Sequence, residues 1–250
     1  MNIDSQEMTQ VTQVAAGEGC AAPRFDMYAT IHKALRALMA DTLLAVGRAD
    51  TDDALELAQT CQRVMELLDF CASHLQHEND FVHPAIEMGR RGASSQIASE
   101  HEEHIRHLDQ LRAQTTAVLK APVAARASAT LALYRALSQF MAENFEHMLY
   151  EESTHNAALW AAYSDAELLA IHDALVASIP PEKMMGIVRW MVPFMNPAER
   201  LATMAGMQAH APAPAFAAAL DVVRPHLSDV EWAKLTRGLG LPAVPGLVQA

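Results

Sequence analysis

One four-residue spacing occurs twice in this chain, as His74-Leu-Gln-His-Glu78 and His147-Met-Leu-Tyr-Glu151. Residues four apart on an α-helix share a face one turn apart, so each copy aims an imidazole and a carboxylate at one point. Nine of the twelve histidines fall between His32 and His155, and most of them lie on stripes of apolar residues spaced three and four apart. A core that buries so many imidazoles and carboxylates must give them partners. The chain must therefore fold into helices that bring several such faces together.

Composition agrees with helices. Of the 250 residues, 51% are hydrophobic and only 10 are glycine, which suits an all-α chain with an ample core. A formal charge of −12 argues against nucleic acid as a partner and against an anionic membrane surface. Cys20, Cys61 and Cys71 are odd in number and lack a C-x-x-C spacing, so neither a disulfide framework nor a cysteine zinc site is expected. Residues 1–23 have no basic start followed by an apolar run and read as a flexible polar leader. The most apolar stretch, Met184 to Met195, holds Arg189 and Pro193 and is too short to span a bilayer. A cytoplasmic location is expected.

The pattern predicts four long amphipathic helices within residues 24–162, arranged as an up-down-up-down four-helix bundle because the connections are short. Helix one covers about Phe25 to Val46, ended by Gly47 and the Asp50–Asp53 cluster. Helix two runs from about Ala54 to Met88 with a kink at Pro84. Helix three covers about Ser95 to Leu119, and helix four about Arg126 to Trp160. Residues 163–240 read as a smaller helical module, opened by the capping box Ser164-Asp-Ala-Glu167 and closed by a helix capped at Ser228. Residues 241–250 form a tail.

The candidate ligands follow from these faces: His32 on helix one, His74 and Glu78 on helix two, His101 and His104 on helix three, His147 and Glu151 on helix four. A lone histidine on an apolar stripe is ordinarily a hydrogen-bonded core residue. Five inward histidines with two glutamates leave too many unpaired groups for that account, and imidazole with carboxylate suits iron, less often manganese or zinc. A carboxylate from helix two and one from helix four are placed to bridge two cations. His77 stands beside the helix-two stripe, facing a carboxylate or solvent, His83 precedes Pro84 at the helix end, and His155, one turn past Glu151, is either a substitute ligand or a partner behind the ligands.

Residues 28–160 resemble the hemerythrin-like, or HHE cation-binding, domain family. The resemblance rests on His32 in Ile-His-Lys-Ala-Leu-Arg, His74 with Glu78 ahead of Phe-Val-His-Pro84, His101 with His104, and His147 followed by Glu151-Glu152. Oxygen-carrying relatives have His-x-x-x-His in the third helix, where this chain has His101-Glu-Glu-His104, so either or both of these histidines fit the role. The carriers' fourth-helix spacing would select Glu152, whereas the inward stripe through Phe140, Asn144 and His147 selects Glu151, which is preferred here.

The resemblance implies a non-haem site of two irons that binds or senses O₂ or a related small ligand, such as NO or peroxide. Oxidoreductase turnover stays open beside reversible binding. The alternative is an iron-responsive interaction protein whose metal is structural, with the C-terminal module meeting a protein partner or a second copy of the chain as a homodimer.

Overall fold

The computed structural model describes residues 24–241; the proposed leader, Cys20 and most of the proposed tail lie outside them. It contains helices and no strand among the described residues. Helix α1 is Ala29–Arg48, α2 Ala54–His77, α4 Ser95–Lys120 and α5 Val123–Tyr150. Each of these packs on two others, α1 on α2 and α5, α4 on α2 and α5, which closes the expected four-helix bundle. Its core runs through Leu35, Leu67, Leu68, Leu111, Leu137 and Phe140, each at most 2% exposed.

Local chemistry sets the ends. Asp53 caps α2, its carboxylate accepting from the backbone N–H groups of Leu55 and Glu56. Gly47, expected to stop the first helix, lies inside it. A Cβ there would come within 2.9 Å of the Tyr134 ring, so the glycine permits close approach of α1 and α5. Gly92, at φ +79, turns the chain into α4, and the Glu87 carboxylate ties that turn by accepting from the N–H groups of Gly92 and Ser94.

Two helices expected to be continuous change their winding instead. After α2 the chain makes a π turn, Glu78–Val82, before the short helix α3, His83–Gly89. After α5 a second π turn, Glu151–His155, leads into α6, Asn156–Ala162. In the first, the His83 N–H donates to the Glu78 carbonyl five residues back. Pro84 has no N–H for the next bond and its ring would crowd the carbonyl of residue 80, so a wider turn suits it better than an α-turn.

The C-terminal helices are α7 (Asp165–Ser178), α8 (Pro181–Met191), α9 (Pro197–His210), α10 (Ala213–Val223) and α11 (Asp229–Gly238). Capping boxes at Ser164, Asn196 and Ser228 open α7, α9 and α11. Their packing divides unequally. Leu168 of α7 is fully buried with Tyr28, Val82, Ile86 and Leu159 at one end of the bundle. The later helices build a separate core around Val192, Met204, Ala219 and Val223. Buried Arg200 braces that core, donating to the carbonyls of Val192, Pro193 and Met195. The module rests on the bundle through α8 against α1, and Lys33 Nζ reaches both Glu199 carboxylate oxygens at 2.7 Å. No helix among the described residues is long and apolar enough to cross a membrane.

Candidate metal centre

The two π turns begin at the two glutamates of the repeated spacing. Glu78 is 2% exposed and Glu151 is fully buried, and neither has a hydrogen-bond partner for either carboxylate oxygen. Around them the bundle converges its imidazoles. His32 Nε2 stands 3.7 Å from Glu78 and 3.6 Å from Glu151. His74 Nε2 is 3.1 Å from Glu78 Oε1, without the alignment of a hydrogen bond. On the other side, His101 Nε2 lies 3.5 Å from Glu78 and 3.7 Å from Glu151, and His147 Nε2 lies 3.5 Å from Glu151.

Potential ligand atoms thus gather into two overlapping sets: His32, His74, Glu78 and Glu151, and Glu78, His101, His147 and Glu151. Both glutamates belong to both sets. A third set joins Glu151 to His83 and His155.

The outward nitrogens of these rings show which way the inward ones face. His32 Nδ1 is 3.0 Å from Glu152, His147 Nδ1 is 2.9 Å from Glu100, and His101 Nδ1 is 2.8 Å from Asn79 Oδ1. Each partner is an acceptor, so the proton sits on Nδ1 and the Nε2 lone pair points inward. His101 and His147 then oppose two lone pairs at 3.1 Å. That contact is repulsive unless a cation sits near both. The orphaned carboxylate oxygens and these lone pairs fit a metal ion and no ordinary polar core.

Charge regulation follows the same geometry. Burial, together with the charge of Glu78, pushes the Glu151 carboxyl well above its ordinary value. For Glu78 burial acts upward, but His74 and His32 outweigh it and hold the group well below the usual range. Burial lowers His101 to about 3 and His155 to about 4. Glu152 is raised by burial, yet His32 and the two-pronged Arg36 contact bring it down to about 2. Glu152 is therefore a fixed anion behind His32, and Glu151 is the residue turned into the cluster.

Of the seven predicted site residues, the structure brings together six: His32, His74, Glu78, His101, His147 and Glu151. His104 is buried, but it packs edge-on to the His147 ring and its Nδ1 finds no partner. It belongs to none of the three sets. His107, one turn further on, stands 2.9 Å from Glu143. His83 and His155 enter the cluster, with their Nε2 atoms buried and unpartnered. His155 is supported from behind by the Tyr28 hydroxyl, 3.2 Å from Nδ1. The chain does carry a signal for them, since each His-x-x-x-Glu is followed by another histidine, His83 and His155, five and four residues on. Straight α-helical periodicity hides the first of these. The supporting acceptors Asn79 and Glu100 lie off the inward stripes, so helical periodicity does not single them out.

Buried carboxylates shared between two histidine sets, inside a four-helix bundle, define a cation-binding bundle domain. The family model described as "Hemerythrin HHE cation binding domain" matches residues 25–159, more than half of the chain, and the chain belongs to that family. Neither a curated protein nor a solved structure matches the chain.

Proposed function

We propose that the bundle holds two iron ions, one in each of the four-residue sets, and that the protein binds or senses O₂ or a related small ligand such as NO or peroxide. One observation carries this reading: Glu78 and Glu151 are common to both sets and have no other partner for their oxygens. Two carboxylates shared in this way suit a pair of cations better than one. The mixture of imidazole nitrogen and carboxylate oxygen suits iron, with manganese or zinc as substitutes.

When bound, iron supplies an open coordination position and a change of oxidation state. The chain supplies the rest. His32, His101 and His147 turn Nε2 inward, held in that orientation by Glu152, Asn79 and Glu100, and His74 adds its Nε2 beside Glu78. His32, His101 and Glu151 are each at most 1% exposed, which limits the access of bulk water on that side. The low basicity of His101 and His155 leaves few protons close to the ligand position.

Elemental analysis with visible spectra taken aerobically and anaerobically tests the proposal. About two irons per chain and charge-transfer bands that change reversibly with O₂ or NO are expected. A metal-loaded protein whose spectrum is indifferent to both gases would leave only a structural role for the metal.

A further inference from the structure

We propose that the cleft between the bundle and the C-terminal helices binds an amphipathic organic carboxylate, its apolar body along the cleft and its head at the His74 and Glu78 end. The cleft encloses about 920 Å³. Sites for small organic molecules typically measure roughly 300–1,000 Å³ and are mostly apolar with a few polar groups at one place. A diatomic gas needs only a small fraction of that space. Phe70 and Leu38 form the bundle wall, and Met184, Ile187, Val188 and Trp190 of α8 form the other. Methionine side chains adapt to varied apolar shapes at low cost, and tryptophan adds a broad apolar face. His74 and Glu78 also line the cleft, and the His74 side chain is 11% exposed, so the cleft meets the metal centre on its first side.

Gly186 is an exposed glycine on the α8 wall of this cleft and gives a way to fill it. It sits in the middle of α8, where glycine costs roughly 0.5–1 kcal/mol relative to alanine. Positive φ occurs only at Gly92 and Gly240 among the glycines of the described residues, so the backbone gives no reason for it. A Cβ built there meets no atom within 4 Å. Glu182, Lys183 and Trp190, one helical turn to either side, line the same cleft, as Gly186 itself does. A larger residue would improve the helix and narrow the cleft.

The head follows from charge. Two divalent cations held by Glu78 and Glu151 leave a net positive centre, which favours an anionic oxygen donor over a neutral or cationic end. This part rests on the metal reading above, whereas the cleft and Gly186 do not.

The test uses the full chain loaded with iron and two probes of equal length, decanoate and decanol. Binding is followed by displacement of a naphthalene-sulfonate fluorophore and by carbon NMR of carboxyl-labelled decanoate. Both probes should bind saturably, decanoate about tenfold more tightly than decanol. Gly186→Ala, Gly186→Leu and Gly186→Trp should weaken both in order of size, the largest by about tenfold or more, with metal content unchanged and melting temperature no lower. Chelation should remove decanoate's advantage and leave decanol binding as it was. Absence of saturable binding, or a tryptophan variant that binds like the parent, overturns the cleft. Equal affinities in protein proven to carry metal overturn the placement of the head. A chain that takes up no metal sinks the metal reading, and decanol with the Gly186 series still decides the cleft.

Discussion

Stripping the metal should make the protein acid-sensitive in a direction set by competition between its imidazoles and one carboxylate. Burial lowers His101 to about 3, His104 to about 4 and His155 to about 4, against about 6.5 in an unfolded chain. A histidine whose folded value is depressed takes a proton more readily when unfolded, so its stability contribution falls as pH drops below about 6.5. Between pH 7.5 and 5.5 each of the three costs about 1.4 kcal/mol, about 4 kcal/mol together. His147 and His83, also lowered by burial, add to that side. Glu151 works the other way: its carboxyl is raised, so its penalty fades as pH falls, by at most about 1.4 kcal/mol per pH unit. His32, lowered by burial but raised on balance by the Glu152 and Glu78 carboxylates together, also gains in acid. Five imidazoles against two groups leave a net loss of roughly 1–3 kcal/mol, which for a chain of this size lowers the melting temperature by several degrees. Thermal melts of chelated protein at the two pH values measure it. A chelated protein that melts higher at pH 5.5 than at pH 7.5 would refute the reasoning, since repulsion between Glu78 and Glu151 would then dominate.

Glu151→Ala should release both metals, because Glu151 is shared by both sets, whereas His104→Ala should retain them; elemental analysis separates the two. Glu100→Ala leaves His147 Nδ1 without its acceptor and should weaken metal binding about 10–100-fold in competition with a chelator. Leu168→Ala removes a fully buried side chain at the bundle end and should cost about 2–5 kcal/mol in denaturant unfolding, with metal retained. For the same reason residues 24–162 should hold metal yet melt below residues 24–179, and equal melting would show that α7 adds nothing to the bundle.

Most of the helical plan is readable in the sequence because its signals are local. Capping residues at Ser164 and Ser228 open helices where the structure opens them, at Asp165 and Asp229. The bundle's faces follow from three-and-four spacing alone. Gly47 is ambiguous in the sequence because a glycine near a helix end suits both a stop and a close approach, and only the Tyr134 ring tells them apart. The division of the C-terminal helices between two cores depends on long-range packing of Leu168, which no local pattern carries.

The site was legible up to the point where helical winding changes. His74 with Glu78, and His147 with Glu151, are set by a spacing of four that holds in the α-helical turns before each glutamate. Beyond the glutamates the winding widens. In the first π turn a residue five positions on takes the place that an α-helix gives to the fourth, which turns His83 toward Glu151 and His155. A π turn also spends backbone hydrogen-bond geometry, and such turns are rare enough to need a cause. Pro84 supplies one for the first, since it cannot donate to an α-helical ladder. The second has no proline, and Asn156 holds it differently: its side chain donates to Asp26 and to the Glu152 carbonyl, and accepts from the Met27 N–H. These contacts anchor the wide turn to the segment before α1, the same segment that carries Tyr28 to His155. The two glutamates are thus fixed by different local chemistry toward one end, a pair of widened turns that crowd unpartnered oxygens and nitrogens into the bundle axis.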